Sequence, residues 1–529
     1  MYGKKAYFAS ETIHIHIMLL NTLLRWACIG LGAATLAGCS PRYVVTPAAE
    51  PEPITFTILQ LNDVYEIAPL EGGRVGGLAR VATLLKRLEA ENPNTIAILA
   101  GDFLSPSFAG TLRLDNGERV AGLQMVETLN AMGLDYVTFG NHEFDLRDGA
   151  TLQSRIDASQ FRWISCNALR VDNGVAAPFR QYGADLPPYW VHTFRRGADS
   201  LRVGFVGVVL PFAKAEYVKY LPVEQAYAEA YAQVAPKADI VIGITHQSLD
   251  EDEALAKSVP GSALFIGGHE HENLTRYVEQ TPITKADANA KTVYVHRFVV
   301  DPRTGLARLR STLAPIDAGL PDDPATLAVV NRWQERINGI LQKEGYQPDR
   351  KLGEAQTPLE GREVVVRNQQ TNYGLLTARS FADALPGADV YLLNSGSLRV
   401  DDKLSGVITE YDVLRSFPFG GPIVRTQWPG EVLARVLNTG ATTNQGEGGY
   451  LQRFQAQPDG NGGWMINGAP LTPEKTYSVV LPEFVAQGKE ANLAFLANYP
   501  YDKPEQLKNG LRNDVRNVVM AYMAALGTF

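Results

Sequence analysis

Five stretches of this chain end an apolar run in residues able to hold a metal ion. Asn62-Asp63 follows "ITFTILQL", Gly101-Asp102 follows "NTIAILA", and Gly140-Asn141-His142-Glu143 follows "DYVTF". Thr245-His246 closes "ADIVIGI", and Gly268-His269-Glu270-His271 follows "SALFIG". Only six histidines lie beyond Cys39, at 142, 192, 246, 269, 271 and 296, and four of them fall in these stretches. A glycine lets the backbone turn sharply, so that the next side chain points back at one place. Asp, Asn and His together suit Mn, Fe, Co or Zn and do not suit an all-oxygen calcium site. Gly-Asp after a strand is by itself a common turn, and a lone Gly-His-x-His a common loop. All five in this order point to a dinuclear centre, in which two cations about 3.5–4 Å apart lower the pKa of a bridging water.

Such residues need a scaffold that ends several strands at one edge. The chain supplies alternating strand and helix patterns from Ile54 onward. "GLARVATLLKRLEAE" and "GLQMVETLNAMG" read as amphipathic helices between the apolar runs, and "LRVGFVGVVLP" as a further strand. Strands that each close in a polar loop are the mark of a layered α/β enzyme, whose sites lie at the carboxyl ends of the strands. Residues 321–349 read as one helix, with Asp322 or Asp323 as its cap and Pro348 beyond its end. A second helix–strand–loop pattern then runs to the C-terminus, and 529 residues are more than one core usually serves. The expected organisation is a leader at 1–38, a tether at 39–53, a catalytic domain at 54–320, a linker helix at 321–350 and a substrate-binding domain at 351–529.

The leader carries Arg25, then "WACIGLGAATLA", then Leu36-Ala37-Gly38-Cys39. That apolar run is too short to span a bilayer and suits a signal peptide. Leu36–Cys39 resembles the bacterial lipobox, which implies a lipid anchor on Cys39, and Ser40 resembles an outer-membrane sorting residue. The expected location is the bacterial cell envelope, on the outer membrane facing the periplasm. Met18 is an alternative start to Met1. Loss of residues 1–38 removes Lys4, Lys5, Arg25 and Glu11, which takes the net charge from −8 to −10. No Lys/Arg cluster stands out, which argues against a nucleic-acid polymer as partner. With Cys28 cleaved off and Cys39 acylated, Cys166 is left alone, so no disulfide forms in the mature chain, and it reads as a small core residue.

The five stretches resemble the calcineurin-like metallophosphoesterase signature. "GNHEFD" (140–145), "SPS" (105–107) and the second domain narrow the resemblance to the bacterial 5′-nucleotidase / UDP-sugar hydrolase family, over about residues 54–500. It implies an α/β protein: a metallophosphoesterase β-sandwich flanked by helices (αββα), a linker helix and a second α/β domain. It implies two divalent or mixed-valence metal ions, with Asp102 bridging them, Asp63 and His271 on the first, and Asn141, His246 and His269 on the second. His142 with Asp145 would form the catalytic dyad. Most members carry His where this chain has Tyr65. Three roles stay open for Tyr65: a packing or outer residue beside a weaker first metal, a phenolate ligand favouring Fe(III), or the sign of a one-metal site with poor or lost activity.

In the second domain, Arg367 in "VVVRNQQTNYG" and Asn394 and Arg399 in "NSGSLR" match positions that contact the nucleotide. Guanidinium groups suit a terminal phosphate because they bind it through two parallel hydrogen bonds. Phe419 in "SFPFGGP" and Phe484 in "VVLPEFVAQGKEANLAF" match an aromatic pair that sandwiches the base; core packing is the competing reading. Glu490 stands where the family has the Asp that holds the ribose. The resemblance implies hydrolysis of nucleoside 5′-monophosphates by a metal-activated water. The alternatives are a 2′,3′-cyclic-nucleotide phosphodiesterase or UDP-sugar hydrolase, a non-catalytic nucleotide-binding lipoprotein with a decayed first site, and a sulfur-compound hydrolase on the same scaffold.

Overall fold

A computed structural model describes residues 13–15, 52–211, 215–301 and 304–529. The expected lipobox cysteine, Cys39, and nearly all of the leader and tether lie outside these residues. The fold is mixed α/β with two domains, as the strand–helix alternation predicts.

The N-terminal domain is built on two sheets laid face to face. The first contains, from the centre outward, β1 (Ile54–Leu61), β2 (Thr95–Ala100) and β3 (Tyr136–Thr138) in parallel, with Arg162–Trp163 beyond. Its other side is the antiparallel pair Thr292–Val300 and Ala307–Pro315, and Ile13–Ile15 pairs with Ala307–Leu309 at the edge. The second sheet centres on Asp199–Val209, β4 (Ile240–His246), β5 (Leu264–Gly267) and Thr281–Lys285, all parallel. Antiparallel strands Tyr189–Arg196 and Leu274–Val278 close its two edges.

Period-two patterning explains the layering. Ile54, Phe56 and Ile58 on β1 meet Ile240, Ile242 and Ile244 on β4 in the core between the sheets. Leu59 and Leu61 point the other way, into the core shared with Leu78, Val81 and Leu85 of the helix Leu78–Glu91. On the far side Val241 packs against Tyr227, Ala230 and Leu255 of the outer helices. Strands covered on both faces read as continuous apolar runs, which is how β1, β2, β4 and β5 appear in the sequence. The register sets Leu61 beside Leu99, Ala100 beside Thr138 and Thr245 beside Gly267, so the loops that follow open at one edge.

The helix Pro324–Lys343 starts where its cap chemistry says it should: the Asp323 side chain accepts from Thr326 N. Its buried face carries Val330, Trp333, Ile337 and Leu341. Trp333 Nε1 donates to Glu127 Oε2 at 2.9 Å, so this helix lies against the N-terminal domain. The C-terminal domain has a five-stranded sheet, ordered Leu451–Phe454, Val390–Asn394, Thr476–Pro482, Ile423–Pro429 and Tyr501–Asp502. The helix Asn372–Ala384 covers one face through Tyr373, Ala378 and Phe381.

Candidate metal centre and substrate cleft

The loops that leave β1, β2 and β5 are held in backbone conformations that side chains other than glycine rarely adopt. φ is +52° at Asp63, +57° at Asp102, +88° at His269 and +59° at His271. Left-handed backbone at a non-glycine residue costs about 1–3 kcal/mol and persists where surrounding structure enforces it, typically at functional sites. Four such residues here are four of the expected ligands. The glycines beside them permit the approach. A Cβ on Gly140 would stand 2.1 Å from Asp102 Oδ1, and one on Gly268 2.6 Å from the Ala100 carbonyl.

The donor atoms converge. Asp63, Asp102 and His271 each offer an atom within 4.8 Å of the others. His246 Nε2 lies 3.1 Å from Asp102 Oδ2 and 3.8 Å from Asp63 Oδ1, and His271 Nε2 lies 3.2 Å from Asp63 Oδ1. The His246 and His269 rings are 5.5 Å apart, centre to centre. Asp102 faces both ways: its Oδ1 accepts from His142 N at 2.8 Å while its Oδ2 faces His246. His246 Nδ1 donates to the Ala100 carbonyl at 2.7 Å, which turns Nε2 toward the carboxylates.

Asn141 Oδ1 is buried with no hydrogen-bond partner, while Asp63 Oδ1 and His246 Nε2, also buried, face only the ionisable groups of the cluster. A buried polar atom left unpaired costs about 1–3 kcal/mol. An unpaired amide oxygen among crowded carboxylate and imidazole donors fits a transition-metal cation. The electrostatics agree. Burial would lower the His246 pKa, but Asp102 and Asp63 override it and push it up to about 10. His269 goes the other way, down to about 4, through burial and the neighbouring His246 charge. The paired carboxylates thus draw one positive charge into the site and leave His269 neutral, the form that ligates metal.

The Tyr65 hydroxyl is part of this cluster. It lies 3.2 Å from Asp102 Oδ2 and 3.0 Å from His271 Nε2. Remote packing is therefore not its role. Burial, then the Asp102 and Asp63 carboxylates, hold the phenol well above its ordinary pKa of 10, and its hydroxyl donates to Asp102. His142 Nδ1 pairs with Asp145 Oδ2 at 2.6 Å, which brings the expected dyad together. Burial opposes the charge on His142, yet Asp102 and Asp145 raise its pKa.

Several supporting residues escaped the sequence reading. Glu143 accepts from the main-chain N–H groups of Gly140, Asp102, Phe103 and Leu104 at 2.6–3.0 Å, tying the β2 and β3 loops together. Its signal was the acid inside "GNHE". Lys285 has no exposed side-chain surface, and its ammonium meets Asp252 Oδ2 at 2.9 Å, the Gln247 carbonyl at 2.6 Å and Glu270 Oε2. Gln247 follows His246 and Glu270 separates His269 from His271, so Lys285 braces both histidine loops. A lone lysine gives no such signal. Asp401, from the C-terminal domain, pairs with His271 Nδ1.

The C-terminal domain faces this centre across a cleft of about 280 Å³, lined by His142, His269, His271, Glu363, Arg367 and Asp401 among others. Arg367 and Arg399 flank Glu363, at 2.6 and 3.4 Å. Asn394 Nδ2 donates to Glu490 Oε2 at 2.7 Å, so those two residues form one polar unit. Phe419 is 69% exposed and Phe484 48%, which sets aside core packing for both. The Phe419 loop is pinned from behind: Val515 N donates to the Gly421 carbonyl at 2.8 Å.

Beyond Cys39, the two histidines outside the metal stretches have other duties. His192 Nδ1 meets the Tyr136 hydroxyl at 2.7 Å, and His296 is buried between Gln60 Oε1 and Ser311 Oγ at 2.8 Å each. Cys166 is a free cysteine whose thiol is driven up by burial, away from nucleophilic reactivity.

Residues 56–273 match the calcineurin-like phosphoesterase family, and residues 351–497 match the 5′-nucleotidase C-terminal domain. The 5′-nucleotidase of Bos taurus is 21% identical over 547 residues, covering 91% of this chain and 90% of that protein. Among solved structures, a 5′-nucleotidase precursor from Thermus thermophilus shares the fold with a TM-score of 0.67 at 20% identity, covering 90% of this chain and 97% of that one. A sulfate thiohydrolase from the same organism, SoxB, has a TM-score of 0.62 at 17% identity, covering 89% and 94%.

Proposed function

Because the chain belongs to the metallophosphoesterases that carry a 5′-nucleotidase C-terminal domain, and so is a phosphoric-ester hydrolase, we propose that it hydrolyses nucleoside 5′-monophosphates at a dinuclear metal centre. The observation that carries this reading is the cluster of donor atoms from five separate strand ends, with Asn141 Oδ1 buried and unpaired among them, beside a cleft shared with Arg367. Asp63, Asp102 and His271, with the Tyr65 hydroxyl beside them, would hold one cation. Asp102, Asn141, His246 and His269 would hold the other. When bound, such a cation pair supplies a water of lowered pKa and neutralises charge on the phosphoryl oxygens.

The chain's own residues do the rest. Arg367 and Arg399 hold the phosphate oxygens and set the ester in line. Asp145 holds His142 at Nδ1 and keeps the ring protonated, so a proton passes from Nε2 to the leaving ester oxygen. Phe419 and Phe484 take the base between them, and Asn394 with Glu490 holds the ribose. Stacking on aromatic faces accepts any base, so the phosphate and sugar contacts dominate selection. The exposed Phe pair favours a nucleotide over a sulfur compound, which would have no use for it.

A panel of AMP, UDP-glucose and 2′,3′-cyclic AMP, each with Mn, Zn, Co or Fe, tests the reading. Phosphate release that is fastest from AMP supports it. Faster turnover of the cyclic nucleotide or the sugar nucleotide replaces it with the corresponding diesterase, and no turnover with any metal leaves a nucleotide-binding protein. The envelope location rests on the Leu36–Cys39 sequence. Partition of the native chain, and not of Cys39→Ser, into detergent tests it.

A further inference from the structure

We propose that Glu363 determines specificity, because its carboxylate lies in the seat that Arg367 and Arg399 offer a substrate phosphate. This rests on reading the cleft as a phosphoester site. Glu363 opens the short helix Glu363–Val366 and lines the same cleft as His142, His269, His271 and Arg367. Its Oε1 lies 2.6 Å from Arg367 Nη1 and its Oε2 3.4 Å from Arg399 Nη1. One carboxylate thus spans two guanidinium groups, as a phosphate would.

The fit is uneven. The Arg367 contact is a short, charge-assisted one, whereas the Arg399 contact is long. Arg399 Nε is buried without a hydrogen-bond partner, so this guanidinium still has a donor to satisfy. Glu363 is also fixed in place. Its main-chain N–H donates to Asp401 Oδ1, and Asp401 Oδ2 pairs with His271. The backbone that carries the side chain is therefore held at the cleft as substrate enters, so a displaced carboxylate remains beside the arginines.

The consequence is a charge filter. A dianionic phosphate monoester must take both arginines from Glu363 and then sit beside its displaced carboxylate. A monoanionic diester meets half of that repulsion. Glu363 thereby weakens binding of free phosphate, the product, as well as of monoesters.

Isothermal titration with inorganic phosphate, on metal-loaded wild type and Glu363→Gln, reads this without turnover. The proposal expects roughly tenfold tighter phosphate binding in the isosteric variant, in which only a negative charge is lost. Kinetics with AMP should show a KM fall of about the same size, and bis(p-nitrophenyl) phosphate, a monoanionic diester, a clearly smaller one. Glu363→Asp, which keeps the charge, should stay near the wild-type affinity. Weaker or unchanged phosphate binding in Glu363→Gln would overturn the proposal and make Glu363 a residue that orients the arginines productively. If neither protein cleaves AMP, the hydrolase reading fails while the phosphate titration still decides the place of Glu363.

Discussion

The catalytic side of the cleft presents Asp63, Asp102 and His246 with no side-chain surface exposed to solvent, the two aspartates on loops with left-handed backbone. The recognition side presents Phe419, largely in solvent, Phe484, about half exposed, and two arginines that share one carboxylate. The first set is over-determined. Each donor is fixed by a glycine contact, a backbone hydrogen bond or a buried ion pair, and moving one disturbs the rest. The second set is held at its base and free at its tip. A scaffold of this kind keeps the bond-breaking chemistry constant and lets the substrate change by a few exposed side chains. Asp401 and Glu363 join the two, since Asp401 touches both His271 and the Glu363 main chain.

If that contrast is right, substitutions on the two sides fail differently. Asp102→Asn on the catalytic side should lower kcat/KM by about 10³-fold or more and reduce the metal content at both positions, read by kinetics and elemental analysis. Near-normal activity would remove Asp102 from the centre of the account. On the recognition side, Phe419→Ala should weaken AMP binding by about 1–3 kcal/mol, some 5- to 150-fold in KM. Hydrolysis of p-nitrophenyl phosphate, which has no base, should hardly change; an equal loss with both substrates would show that Phe419 supports the fold instead.

A smaller effect sharpens the comparison from the core. Burial lowers the His296 pKa from 6.5 to about 3. Between those values the unfolded chain binds a proton that the folded chain refuses. Stability from this group is therefore complete above about pH 6.5 and falls by about 1.4 kcal/mol per unit as pH drops toward 3. Urea unfolding at pH 7 and 5 should show that slope reduced in His296→Gln. An unchanged slope would mean that the catalytic carboxylates and histidines alone set the acid limit. The smallest change is expected from Tyr65→His. Replacing the phenol with an imidazole donor should raise metal affinity a few-fold in equilibrium dialysis, on the order of 1 kcal/mol. A fall in affinity would make the Tyr65 oxygen a metal ligand.

The convergence on the catalytic side was legible in the sequence, because each of its residues closes an apolar run and Asp102, Asn141 and His269 also follow a glycine. Asp63, Asp102, Asn141, His246, His269 and His271 could be marked as one group of strand-end residues, and the structure brings them together. The sequence carried the recognition side only through resemblance, since a single Arg or Phe has no periodicity to betray it. Lys285, Asp401 and Glu363 were not legible at all. Each acts on a residue 15 or more positions away, or across the domain boundary, and nothing local in "PITKAD", "RVDDK" or "GREVVV" encodes that. Tyr65 lay between these cases: its position marked it, and only the placement of its hydroxyl gave it a partner.

The claim on which the rest depends is that these buried carboxylate, amide and imidazole atoms gather two cations. Anomalous diffraction from crystals soaked in manganese, with the metal-to-protein ratio measured on the same preparation, tests it most directly. The account predicts two peaks flanking Asp102, with Asp63 and His271 on one side and Asn141, His246 and His269 on the other. No peak within reach of Asp102, and a ratio near zero, would contradict it.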